Sequence, residues 1–252
     1  ASGRSGVLTP TRGVQVGQAT FTIDLSHNDS FQVLAQACGF TLASNASSPS
    51  NDPANHKTLT IVMWEGGRKK TLSGASGTFT IEASTSPSRV QASFTFSGRF
   101  EAVADEALPA EPTLETPYRA SGMTLTLGGS PIPLVDTVSI DGGQDVQLRE
   151  DITNDFGVAH YFVSDINPTM TLPTEAQNVA DEDAYGKLTG ATAEALSIVV
   201  TDPSSNTLTI AAPAAMRTDI GEGDRSGKLL DELTFGLFAV SGDDQLTFTK
   251  SI

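Results

Sequence analysis

This chain is poor in the residues that mark a disulfide scaffold, a nucleic-acid reader or a membrane span. One cysteine, Cys38, in 252 residues leaves no internal disulfide framework. That favours a reducing compartment mildly, since bridges accumulate in oxidising ones. Lys and Arg number 15 against 30 Asp and Glu, giving a formal charge of −15. With so few cations, no basic patch can gain the counterion release that holds DNA or RNA. Nucleic acid passing nearby without sticking is compatible with this balance. Aromatic residues are 6% of the chain, with a single Trp inside the strand-like run TIVMW. No apolar run approaches the length of a membrane-spanning helix. No signal peptide is visible, and loss of an initiator Met before Ala1 is the expectation.

Catalytic motifs are missing too. The stretch DIGEGDRSGKLL (219–230) gathers glycines, an Asp-Arg pair and a Gly-Lys step. A phosphate loop needs Gly, four residues, Gly-Lys and then a hydroxyl residue, because backbone amides hold the phosphate and the hydroxyl meets magnesium. Here Glu222 stands at the first glycine position and Leu229 at the hydroxyl position. A carboxylate in that seat repels phosphate. A dinucleotide fingerprint fails at Ser226, and the run leads into LLDELTFGLF, a strand's finish where a helix N-terminus is required. The stretch therefore reads as a hairpin or interface loop. His27, His56 and His160 are scattered without paired-ligand spacing, and no G-x-S-x-G elbow occurs. IDGGQD (140–145) and SGDDQ (241–245) are acidic turns, not calcium loops. No catalytic, cofactor-binding or metal-ligating set is expected, and the chain reads as a non-enzyme.

What is present is β chemistry. Hydrophobic residues make up 38%, and 23 Gly with 13 Pro supply turns. Residues 1–13 read as an arm that needs a partner to order. VQVGQATFTIDL (14–25) alternates as a half-buried strand. Phe31, Leu34, Ala35 and Cys38 fall at helical spacing, with Ser30 as a cap and Gly39 as a stop. Residues 41–57 lack periodicity and read as a long loop, a class that is often functional. Residues 58–100 read as a four-strand meander, with turns at Glu65-Gly66-Gly67 and at TSPS. The proline-rich segment 106–117 reads as a tether between two lobes. Beyond it come strand candidates MTLTLGG, LVDTVSIDGG, VQLRED and HYFVSD. A helix is expected over 174–184 from the capping box Thr174–Gln177 and the spacing of Ala176, Val179, Ala180 and Ala184. A hairpin around DPSSN and two terminal strands, Thr234 to Val240 and Gln245 to Thr249, complete the pattern. The fold class expected is mainly β: a sandwich or split barrel of antiparallel strands with one or two short flanking helices.

A set of pieces recurs in a telling order: TPTRGVQVGQATFTIDL, LAQACGF, KTLTIVMWEGGRKKTLSGASGTFTIEA with ASFTFSGRFEA, VDTVSIDGGQDVQLRED, and the terminal GDRSG, LTF and SGDDQLTFT. Together they resemble the major tail tube proteins of long-tailed bacteriophages, from about Thr9 onward. The resemblance implies one tail-tube domain over 14–252, preceded by the arm 1–13, in a virion structural protein assembled in the host bacterial cytoplasm. It implies hexameric rings stacked into a tube, with inner strands joining a shared β-barrel, and a tape measure protein and tail terminator as partners. DNA passes without stable binding. Arms and loops such as 1–13 and 41–57 reach the adjoining ring in such proteins. Six copies at −15 sum to about −90, a field repulsive to DNA though screened beyond about 8 Å. Acidic candidates for the lumen are Glu65, Glu82, Glu101, Asp141 and Asp145; candidates for contacts between subunits are Arg68, Lys69 and Lys70 in the only basic run, with Asp224 and Arg225. The alternative is a secreted or surface β-sandwich binding module, an adhesin or carbohydrate binder, supported by two N-x-S triplets at Asn28 and Asn45.

Overall fold

The computed structural model describes residues 13–111, 115–132, 134–154 and 157–251. Most of the arm 1–13 lies outside them. Strand β1 (Val16–Asp24) is followed by helix α1 (Ser30–Gln36), β2 (Phe40–Ala43) and β3 (Ala46–Pro49). A single 3-10 turn, Pro53–Asn55, leads to β4 (Leu59–Glu65), β5 (Arg68–Thr85), β6 (Ser88–Phe100) and the short β7 (Ala104–Asp105). Then come β8 (Arg119–Leu127), β9 (Ser130–Pro131), β10 (Thr137–Asp141), β11 (Gln144–Glu150), β12 (Val158–Ile166) and β13 (Thr169–Glu175). Helix α2 (Ala184–Thr189) precedes β14 (Ala193–Thr201), β15 (Thr207–Arg225), β16 (Lys228–Phe238) and β17 (Thr247–Lys250).

The strands pair antiparallel in the order β1-β6-β5-β10-β13-β16-β15-β14-β8-β9, with β4 and β7 added beside β5 and the run β17-β3-β2 branching from β15. One sheet thus runs through strands from both sides of the proline-rich segment. β11 and β12 form a separate hairpin. Strand alternation drives this arrangement. On β5, Phe79, Ile81 and Ala83 are buried, while the intervening Thr80, Glu82 and Ser84 are not. Opposite residues share a face, so Phe21, Phe94 and Phe79 line up across β1, β6 and β5. Phe31 of α1 meets Phe79 edge-on at 5.5 Å and Phe248 of β17 at 4.8 Å. Phe40 of β2 completes the cluster, 5.3 Å from Phe79. Each fully buried Phe contributes about 2–3 kcal/mol of transfer free energy. The helix and β2-β3-β17 therefore form the layer that closes the core.

Four local expectations need correcting. Residues 41–57 are not a featureless loop, because β2 and β3 make a hairpin whose second strand, β3, pairs with β17. Its backbone hydrogen bonds come from the sheet, a long-range contribution that local composition does not encode. Thr174 starts no helix. It lies in β13, opposite Asp231 of β16, and α2 begins only at Ala184 with Asp183 capping Gly186 N at 2.8 Å. Ser30 is already helical; Asp29 is the N-cap residue, and Asn28 Oδ1 accepts from Ser30 N. The meander holds three strands where four were expected, since 68–85 is one strand bent at Gly74, whose φ of +58° comes with a register shift between Ser73 and Ser76.

The stretch 219–230 is a hairpin. Arg225 pairs with Lys228 around Ser226 and Gly227, at φ +55° and +83°. Two consecutive left-handed residues match the twist that a two-residue loop requires.

Candidate functional site

Away from the core, one face of the sheet is built from hydroxyls and carboxylates. Register places Asp24, Gln91, Glu82, Ser139, Thr171, Thr234 and Asp219 in a single row across β1, β6, β5, β10, β13, β16 and β15. The neighbouring row holds Thr22, Ser93, Thr80, Asp141 and Thr169, and the next Thr20, Thr95 and Thr78. Hydrogen bonds tie the rows to their strands: Thr22 to Ser93 at 2.9 Å, Thr20 to Thr95 at 3.3 Å, and Gln91 Nε2 donating to Asp24 at 2.8 Å. Cations occur at the ends of β6. Arg89 is bound to Asp24 at 2.9 Å and Arg99 stands 3.6 Å from Glu101. Between those ends the three rows hold hydroxyls, acids and the Gln91 amide, and no cation.

Of the five acidic candidates, Glu82 and Asp141 are brought together here, on adjacent strands and both exposed. Glu65 lies at the β4–β5 hairpin end, bound to Lys70, which holds its carboxyl below the usual range through a hydrogen bond and charge. Glu101 follows β6, its N–H donating to Thr71 O at 3.0 Å. Asp145 sits on the β11–β12 hairpin and accepts from Ser164 and Gln147. Asp24 belongs to the same row as Glu82, and sequence reading missed it. The signal was there: TFTID puts Asp24 in phase with Thr20 and Thr22.

The basic candidates are largely engaged within the chain. Lys69 binds Glu106 at 2.8 Å and Lys70 binds Glu65. Arg225 reaches Asp136 at 2.9 Å and Leu134 O at 2.9 Å, tying the long β15–β16 hairpin to the segment before β10. Asp224 accepts from Gly227 N at 3.2 Å, inside its own turn. Arg68 is exposed at the β4–β5 hairpin end.

A second feature escaped the sequence. Arg217 of β15, with its side chain 2% exposed, binds Glu194 and Glu182, and Lys187 binds the same two carboxylates at 2.9 Å each. The guanidinium lies 5.3 Å from the Phe235 ring centre. This four-charge cluster clamps α2 and the segment before it onto the sheet. Burial alone would raise the Glu194 carboxyl pKa, but hydrogen bonds and charge from Lys187 and Arg217 overcome it and hold the value below the ordinary range.

The free edge of β1 is the last element. Among the described residues its only strand partner is β6. Gln15 O accepts from Phe100 N and Leu25 N donates to Val90 O, so the odd-numbered residues face β6. The amides of Gln18, Thr20 and Thr22 therefore point to the open side.

With 61% of residues in strands and 7% in helices, this is a mainly β protein of the antiparallel sandwich type. It carries a broad hydroxyl-lined face and an unpaired edge. Among the described residues no group of three metal-ligating side chains gathers, and no helix is long and apolar enough to cross a membrane. A family model described as phage tail tube protein matches residues 2–241, and the chain belongs to that family. It is accordingly a structural component of the virion tail, of a kind that works as an oligomer. No curated protein matches the chain.

Proposed function

We propose that this subunit closes into hexameric rings that stack into a tube, and that the hydroxyl and acid face lines its bore. The observation that carries the reading is that face itself, where Asp24, Glu82, Asp141 and Asp219 lie among Ser and Thr with cations confined to the ends of β6. A wall of this kind offers passing DNA no counterion release and repels its phosphates. The unpaired edge of β1 supports closure, since an exposed strand edge is a template for another chain. Genome and tape measure protein pass through the bore, a terminator caps the tube, and assembly takes place in the bacterial cytoplasm. The role is structural and non-enzymatic. Arg68 remains a candidate contact between subunits, and residues 1–13 and 41–57 remain candidates for reaching the next ring.

Electron microscopy of the purified protein tests assembly: hollow tubes with a regular axial repeat are expected, and a protein that stays monomeric at high concentration overturns the reading. Glu82→Lys with Asp141→Lys tests the bore. Tubes should form normally while DNA delivery slows, and unchanged infectivity removes this face from the lumen.

A further inference from the structure

A groove of about 400 Å³ lies where the segment before β4 meets the β11–β12 hairpin. Its walls bring together Lys57, Arg149, His56 and His160 with Tyr161 and Phe162, consecutive on β12, so that the Phe162 side chain shares the face of His160 and the Tyr161 side chain turns to the other. Two of the three histidines of the chain are here. Arg149 and His160 stand directly opposite each other across the hairpin, and His160 lies against the Phe162 ring at 6.1 Å. In a chain with twice as many acids as bases, a cation finds a carboxylate easily. Among the described residues Lys69, Lys70, Arg89, Arg99, Lys187, Arg217, Arg225 and Lys250 make salt bridges, whereas Lys57, Arg68, Arg119, Arg149 and Lys228 make none, and of these Lys57 and Arg149 share one groove. Asp151 stands near enough to Arg149 to be influenced by it, yet makes no salt bridge with it, its Oδ1 accepting from Thr153 N and Oγ1. His56 Nε2 bonds Ser50 O at 2.7 Å, and its buried Nδ1 has no partner. The groove thus holds positive charge without a salt bridge beside the Phe162 ring.

The complementary chemistry occurs elsewhere on the same chain. Residues 103–111, VADEALPAE, carry Asp105, Glu106 and Glu111 with no base. Every one of them is exposed, including Val103 at 47% and Leu108 at 76%. Pro109 keeps the segment extended. Ala104–Asp105 is held against β5 as β7 and Glu106 is bound to Lys69, which leaves the part around Leu108 and Glu111 beyond that anchor. An exposed apolar residue flanked by acids fits a groove that is cationic at its rim and aromatic within.

We propose that the groove at Lys57, Arg149 and His160 receives segment 103–111 of a second copy of this chain, with Leu108 against Phe162 and with Asp105 and Glu111 against the cations. This rests on the self-assembly argued above and names one joint in it. The negative overall charge disfavours the other anion that such a groove suits, a nucleic-acid phosphate.

Charge reversal and cross-linking on the full chain test it. In sedimentation velocity, K57E/R149E should need about tenfold more protein to assemble, or more, and D105K/E111K should behave alike. Combining all four substitutions in one chain should restore assembly, with circular dichroism confirming the fold of each. Separately, Leu108→Cys with His160→Cys should give a ladder of interchain disulfides on oxidation, absent from either single variant, because Cys38 is fully buried. If the wild type never assembles, the tube reading falls and this joint with it. If the wild type and K57E/R149E assemble alike, or the disulfide forms only within one chain, the docking alone is overturned. Binding of a short DNA duplex that depends on Lys57 and Arg149 reassigns the groove to phosphate and likewise overturns it.

Discussion

Replacing Arg217 by Met keeps most of the side-chain volume and removes the charge at the centre of the clamp on α2. Glu194, 12% exposed, and Glu182, 32% exposed, would then share Lys187 alone. Stripping one partner from a buried ion pair costs about 3–5 kcal/mol, because the surviving charge stays desolvated. The Glu182 side, a third open to water, adds little to this. Losing the cation over Phe235 adds roughly 0.5–1 kcal/mol. The expected loss is about 4 kcal/mol from a total of about 5–15. In a thermal melt of the unassembled subunit that is a drop of about 8–16 °C, and urea titration should show the same loss with an unchanged slope. Arg217→Met with Glu194→Gln should recover part of it, since removing both charges also removes the penalty. Acid offers an independent check. The Glu194 pKa is depressed in the folded state, so its contribution is present above the unfolded value and disappears as pH falls through the folded one. The gap between wild type and Arg217→Met should therefore narrow on acidification. A variant within 1 kcal/mol of wild type at neutral pH refutes the claim that the cluster holds α2 in place.

Thr20→Pro on β1 removes an amide that points away from β6; the monomer should fold, since edge strands tolerate proline, while ring formation fails, and normal tubes would remove this edge from the assembly. Asp231 lies directly opposite Glu222, and burial first, then that like charge, raises its carboxyl pKa. Asp231→Asn should stabilise by roughly 0.5 kcal/mol at neutral pH. That gain should vanish as pH falls through the folded and then the unfolded pKa, and a gain that persists in acid refutes the assignment. Cys38 is fully buried, which pushes its thiol far above the ordinary range, so a thiol reagent should modify it at the rate of unfolding and no faster. The hairpin at 219–230 should show no affinity for micromolar ATP or GTP, measured by calorimetry.

Alternation and turn chemistry made the strands legible, because each is a short-range signal. TFTID, TFTIEA and SFTF carry the period of two that became β1, β5 and β6, and Gly66–Gly67 gave the hairpin. Elements held by distant partners were not legible. Ser47 is buried where β17 arrives beside it with Phe248, 201 residues further along the chain. Thr174 and Gln177 carry a capping pattern, yet seven register pairs with β16 draw Thr169–Glu175 into the sheet first. The site follows the same division. Composition marked acids on strands, but only register separates Glu82 and Asp141, which share a face, from Glu65, Glu101 and Asp145, which sit on hairpin ends and connections.

The union between β10 and β13 has three register pairs, whereas β5 and β6 share twelve. Tension drawn along the sheet must cross that narrow waist through Ser139, Ile140 and Asp141 and their opposites. A subunit stretched between β1 and β8 would part there first, and one flexed with its neighbours would bend there, so the narrowest seam of that span sets how compliant the wall can be.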